Sequence, residues 1–150
     1  MRVLAMTVFT ATCARGGQRP EQRPLAPVPQ VLLVEVSGIG EARSWVVHGQ
    51  QEWRALWDGF PASEMRGRTL PQIDFAREMV VVVTAGTGSS GGPALSFDGY
   101  LARGDTTDVH VRSQVCAPAD DVIQLLIAGR VPRTAGPVRV IRHNLAGCDD

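Results

Sequence analysis

Residues 79–85, MVVVVTA, carry four consecutive valines. β-branched side chains favour strands, and an apolar run without alternation is typical of a strand that is buried on both of its faces. The sequence therefore predicts a central strand at this point of the chain.

An amphipathic helix is predicted upstream of this strand, in residues 50–60 (QQEWRALWDGF). Its apolar side chains fall at positions i, i+3, i+4 and i+7, on one helical face. They are Trp53, Leu56, Trp57 and Phe60. Aromatic residues at helical spacing are more often core residues than a platform for a ligand, so we expect this face to pack on the sheet. On that basis Trp57→Ala is predicted to cost about 3–5 kcal/mol.

Other segments have the alternation or the β-branched composition of strands. They are residues 31–36, 43–47, 94–102, 107–115, 122–128 and 138–142. Residues 63–70 lack a period and are predicted to form a loop. We predict one mainly β domain from residue 31 to 143, an antiparallel sheet or sandwich with one amphipathic helix packed on it, followed by a tail of residues 144–150. A chain of 150 residues is long enough for one such domain and its core.

The N-terminus has the pattern of an export signal. Residues 1–13 begin with one Arg, continue as an apolar run too short to span a bilayer, and end in TATC, which is similar to the lipobox of bacterial lipoproteins. Cys13 would be the acylated residue; the alternative is a short buried strand with an ordinary core cysteine. Residues 14–30 are rich in Pro, Gly, Gln and Arg, which predicts a solvated tether. We expect an exported protein that is lipid-anchored to the cell envelope, periplasmic or secreted.

Charge and composition exclude several function classes. The 15 basic residues are all Arg and balance 15 acidic residues. Without Lys there is no P-loop or Schiff-base chemistry, and without a basic block nucleic acid is not an expected partner. No cofactor is predicted, and no metal site, because no Cys has a second ligand at the spacing of a zinc site. Cys116 and Cys148 form a disulfide in one interpretation and are two separate thiols in the other.

The stretch GTGSSGGPALSF, residues 86–97, contains a near match to the Gly-Asp-Ser-Gly-Gly-Pro motif of chymotrypsin-like proteases. Ser90 would be the nucleophile, and the candidate bases are His48, His110 and His143. The chain is too short for the two barrels of such a protease, so we favour a strand connection built from turn residues. Because small residues allow another chain to come close, this loop is the predicted binding edge. Its residues are Thr87, Ser89, Ser90, Gly91, Gly92 and Pro93.

The motifs EWRALW (residues 52–57), DFAREMVV (74–81) and SGGP (90–93) follow one another in an order that resembles the C-terminal domain of the PrcB family. The resemblance covers residues 44–142. This is a family of bacterial exported proteins named after a subunit of a surface protease complex, and Pro93 stands where it has an aromatic residue. The resemblance implies an accessory or binding role with a protein partner, and it brings no catalytic residues.

Two classes of function are therefore expected. The first is a non-catalytic binding or accessory domain whose partner is a protein, such as a protease. The second is an inhibitor-like module that inserts residues 86–93 into the cleft of a protease. Hydrolysis by Ser90 is a third and less favoured class. A membrane is expected as a partner only through a lipid anchor.

Overall fold

The computed structural model describes residues 23–86, 88–89, 94–114 and 122–145. These residues form nine strands and two helices. In chain order they are β1 (Gln30–Val34), β2 (Ser44–Val47), α1 (Gln50–Asp58), α2 (Ala62–Met65), β3 (Glu78–Thr84), β4 (Gly88–Ser89), β5 (Ala94–Arg103), β6 (Thr106–Gln114), β7 (Val122–Ile123), β8 (Leu126–Pro132) and β9 (Val138–Leu145). The mainly β fold class that the sequence predicts is confirmed.

The strands form two larger sheets and one short pair. The first sheet has the order β1-β8-β3-β2, and each neighbouring pair in it is antiparallel. The second has the order β5-β6-β9, in which β5 and β6 form an antiparallel hairpin and β6 and β9 run parallel. The short pair joins β4 to β7. The sheets are thus mainly antiparallel, as predicted, and the parallel β6–β9 pairing is a feature that the sequence did not predict.

Strand β3 is buried on both faces, as its run of valines predicts. Val80 and Val82 pack into a core cluster with Trp53 of α1. Val81 and the other alternate side chains of β3 pack into a second cluster, together with strands β5, β6 and β9. The domain therefore has three layers, which are α1, the four-stranded sheet and the three-stranded sheet.

The apolar face of α1 packs on the four-stranded sheet. Trp53 is fully buried, Phe60 is nearly so, and Leu56 and Trp57 are partly buried against the same cluster. The indole Nε1 of Trp53 also donates a hydrogen bond of 3.1 Å to the carbonyl oxygen of Pro71. The predicted core role of this helical face is confirmed.

The last residues of the predicted tether belong to the fold. The main chains of Ala26 and Tyr100 exchange two hydrogen bonds of 2.9 and 2.8 Å, which adds Ala26 to the outer edge of β5. Val28 packs against the second core cluster, and β1 begins at Gln30. Gly99, at φ 146°, permits this approach, because a Cβ atom there would lie 2.6 Å from the carbonyl oxygen of Ala26. The boundary predicted at residue 30 therefore lies too late in the chain.

Three other boundaries differ from the predicted ones. The segment predicted as one strand at residues 122–128 is divided, because β7 pairs with β4 while β8 begins at Leu126 and continues to Pro132. The short helix α2 lies largely within the predicted loop of residues 63–70. Strand β9 continues to Leu145, into the predicted tail.

Candidate functional site

Most residues that the sequence singles out as a site lie outside the described part of the chain. They are Cys13, Thr87, Ser90, Gly91, Gly92, Pro93, Cys116 and Cys148. The main chain of Ser89 is described, and it pairs with Val122 between β4 and β7. The predicted binding loop, the lipidation site and the disulfide therefore stay predictions.

Strand β1 is an outer strand of the four-stranded sheet, and β8 is its one neighbour among the described strands. An outer strand presents main-chain N–H and C=O groups that no neighbouring strand occupies. Two large apolar side chains are exposed in or directly after β1, namely Leu33 (39%) and Val36 (45%). Leu25 is the other such residue in the described ranges. Exposed apolar surface is thus concentrated at this edge.

A groove of about 310 Å³ lies along β1. One wall is β1 itself, and the other is formed by α1 and by the segment that follows α2. The lining residues are Gln30, Val31, Leu32, Leu33, Trp57, Arg68, Thr69 and Pro71. Its volume is at the lower end of the range for ligand pockets, so it suits one or two side chains of a peptide better than a large cofactor.

Trp57 borders this groove because of its place on α1. Trp53 lies one helical turn earlier on the same face and is fully buried in the core. Trp57 is partly buried against that core and is one of the residues that line the groove. Both tryptophans therefore have the core role that their spacing predicts, and Trp57 in addition borders the groove.

Arg68 places a positive charge in the groove. Its Nη1 atom donates a hydrogen bond of 2.5 Å to the main-chain carbonyl of Leu33. The main-chain N–H of Arg68 donates to the carbonyl of Met65. Among the described residues it forms no ion pair with a carboxylate. An Arg side chain has five N–H donors, so most of this guanidinium is available to an anionic group. Sequence reasoning missed Arg68, because the segment that carries it has no periodicity.

Arg142 shows the contrasting case of an arginine that is used to hold the fold together. Its guanidinium donates hydrogen bonds of 2.9 Å to the carbonyl of Thr84 and 2.7 Å to the carbonyl of Arg43. These bonds tie β9 to the end of the four-stranded sheet, and burial lowers the pKa of Arg142. This cation is therefore part of the sheet-to-sheet contact.

A second polar surface lies on the outer face of the three-stranded sheet. Val109 and Val111 point into the core, so the residues that alternate with them on β6 point outward. Asp108 is buried beneath Arg139, which donates to both carboxylate oxygens at 2.7 and 2.9 Å. These hydrogen bonds hold the pKa of Asp108 below its ordinary value, and the positive charge of Arg103 acts in the same direction.

His110 and His143 meet on this outer face. Nδ1 of His110 lies 2.9 Å from Nε2 of His143, and the two ring planes differ by 9°. The ring centroids are 5.2 Å apart. This distance is about the N–N distance plus one ring radius on each side. The facing nitrogens therefore lie on the line between the rings and share one hydrogen bond. His110 points outward because it alternates with Val109 and Val111, which point into the core.

The third histidine, His48, lies between β2 and α1. Its main-chain N–H bonds to the carboxylate of Glu52, and its carbonyl accepts a bond from Arg133. Of the three candidate bases of the protease hypothesis, His110 and His143 are therefore hydrogen-bonded to each other, and His48 lies apart from them. Within the described ranges, no group of three or more His, Cys, Asp or Glu side chains is placed to hold a metal ion.

The same part of the chain contains no helix that is long and apolar enough to cross a membrane. Comparison with known proteins finds no matching family, no matching curated protein and no matching solved structure. The resemblance to the PrcB family therefore stays a hypothesis that rests on the sequence motifs.

Proposed function

We propose that this protein is a non-catalytic binding domain that holds an extended segment of a partner protein along the outer edge of β1. The observation that carries the proposal is that an open strand edge, exposed Leu33 and Val36, and a side-chain groove occur together. When a peptide strand adds to a sheet edge, main-chain hydrogen bonds provide affinity and side-chain pockets provide specificity. The edge of β1 offers both.

The groove favours a partner segment that carries an acidic and an apolar side chain. Trp57 and the aliphatic side chains of β1 form an apolar wall, while Arg68 has spare donors beside it. Arg binds carboxylates with two parallel hydrogen bonds, so an acidic side chain suits this position. Every second side chain of an added strand faces the same way. The partner segment we propose therefore has its acidic and apolar residues two positions apart.

The wider role we propose is that of an accessory subunit of an exported protein complex, as the resemblance to the PrcB family implies. In that role the partner is a protease, and binding at β1 leaves the protease active. The inhibitor alternative requires residues 86–93 to enter the protease cleft. Peptidase assays with a serine protease such as subtilisin separate the two, because an inhibitor lowers the rate and an accessory domain does not.

A phage-displayed library of random peptides tests the β1 edge directly. Peptides selected on the wild type should carry an acidic and an apolar residue, and they should shift the amide NMR resonances of Val31 and Leu33. Leu33→Glu and Arg68→Glu should each weaken binding about tenfold or more, which corresponds to about 1.4 kcal/mol.

Two matched variants control for general effects of adding charge. Leu25→Glu changes a leucine of similar exposure (37%), and Arg66→Glu changes a neighbouring exposed arginine that does not line the groove. Both should bind the selected peptides as the wild type does. Peptides that bind the Leu33 and Arg68 variants normally, or a selection that enriches no peptide, would refute the proposal.

A further inference from the structure

We propose that His110 and His143 form a two-histidine site for a divalent transition-metal ion, Cu²⁺ before Ni²⁺. The two residues lie outside the groove of the proposed function. The inference rests on their positions on neighbouring strands and on the distance between their facing nitrogens.

The backbone holds the two histidines in fixed relative positions. His110 lies in β6 and His143 in β9, and the parallel pairing continues on both sides of them, since His110 pairs with Ile141 and Arg112 pairs with His143. The two imidazoles therefore lie diagonally across one strand pair. Ligands carried by strands are placed more accurately than ligands carried by loops.

The two facing nitrogens are close enough for one metal ion to bind both after the rings turn. Imidazole nitrogens bind at about 2.0–2.1 Å from the metal, so two of them at a right angle are about 2.8–3.0 Å apart, and at a tetrahedral angle about 3.3–3.4 Å. The observed separation of 2.9 Å is that of the hydrogen-bonded pair, and it lies within about 0.5 Å of both spacings. Right-angled ligation by nitrogen is typical of Cu²⁺ and Ni²⁺, and Cu²⁺ has the higher affinity of the two.

Metal binding replaces the hydrogen bond between the rings. In the neutral pair one facing nitrogen carries a proton and the other accepts it. On binding, the donor ring changes tautomer, so that its proton sits on its other nitrogen and both facing nitrogens present lone pairs. Each ring must also turn so that its lone pair points at the ion. His143 is exposed and His110 is partly exposed, and both lie on the outer face of the sheet, away from the core.

The charged groups around the pair are already engaged with one another. Arg112 forms an ion pair of 2.8 Å with Asp98, and Arg139 holds Asp108. The two carboxylates reduce the repulsion that these arginines would exert on a bound cation. Since the described residues supply no third ligand of the His, Cys, Asp or Glu type, the remaining metal positions are open to water or to a donor from another molecule.

Copper titration of the untagged full chain tests the site. The chain has three cysteines and three histidines, so the cysteines are first replaced by serine to remove thiol ligands. Isothermal titration with Cu²⁺ should show one bound ion, and the EPR spectrum should show coupling to two imidazole nitrogens. His110→Gln and His143→Gln should each weaken binding about tenfold or more.

His48→Gln is the matched control, because it removes the remaining histidine and leaves the pair intact. It should bind copper as the parent does. Circular dichroism checks that each variant is folded, and the EPR spectrum of the parent reports the ligands without any substitution. Binding that survives His110→Gln, binding that is lost in His48→Gln, a spectrum without two imidazoles, or no bound ion would each overturn the proposal.

Discussion

Trp53→Ala tests whether α1 and the four-stranded sheet share one core. Trp53 is the largest fully buried side chain in the described part of the chain. It packs in one cluster with Val80 and Val82 of β3, and its Nε1 donates to the carbonyl of Pro71. Removing the indole therefore empties the contact between two layers and leaves one carbonyl without its donor.

The expected loss follows from these two contributions. Truncation of a buried aromatic side chain costs about 3–5 kcal/mol. The lost hydrogen bond contributes about 1 kcal/mol, which places Trp53→Ala near the upper end of that range. Trp53→Phe keeps most of the ring packing and loses the N–H group, so it should cost about 1–2 kcal/mol.

Trp57→Ala is the comparison that makes the test specific. The sequence alone predicts the full aromatic cost for Trp57, but the structure shows that this ring is only partly buried and borders the groove. We now expect a loss of about 1–2 kcal/mol, in proportion to its smaller buried area.

Urea unfolding followed by far-UV circular dichroism measures all three variants against the wild type. The linear dependence of the free energy of unfolding on urea then gives each difference. An unchanged midpoint for Trp53→Ala, or an equal loss for Trp57→Ala, would mean that the layers are not packed as described.

Further predictions concern single residues. Gly99→Ala should destabilise the fold by about 1–3 kcal/mol, since φ is 146° and the new Cβ meets the carbonyl of Ala26; urea unfolding measures it. Because the pKa of Asp108 is lowered, its ionised carboxylate stabilises the fold above a pH of about 4, and this stabilisation is lost as the pH falls. In Asp108→Asn, unfolding free energies at neutral and acidic pH should therefore differ less than in the wild type. Ser90→Ala should change stability by about 0.5 kcal/mol at most, and the wild type should not label with a fluorophosphonate. Cys13→Ser should move the protein out of the membrane fraction, as cell fractionation would show.

Local sequence patterns were sufficient for the elements at the centre of the fold. Four valines in a row predict a strand covered on both faces, and β3 is such a strand. The helical spacing of Trp53 and Phe60 predicts the face of α1 that packs on the sheet. Both predictions depend only on side chains that are close to one another in the sequence.

Features that depend on which distant segments become neighbours in the fold could not be predicted in this way. The pairing of β6 with β9 joins segments about thirty residues apart, and alternation within each strand does not say which strands become neighbours. Alternation shows that His110 points outward, but only that pairing brings His143 beside it. The groove has the same origin, since its walls come from β1, α1 and the residues after α2.

The two outer strands of the four-stranded sheet differ in a way that favours β1 as the binding edge. Proteins protect outer strands from association by covering them or by placing charges on them. At β2, the guanidinium of Arg43 lies 4.8 Å from the ring centroid of Trp45, so a charged side chain lies beside this outer strand. At β1, Leu33 and Val36 stay exposed beside a groove. Exposed apolar surface beside an outer strand is typical of a site that binds another protein, and a partner strand that covers Leu33 and Val36 accounts for their exposure.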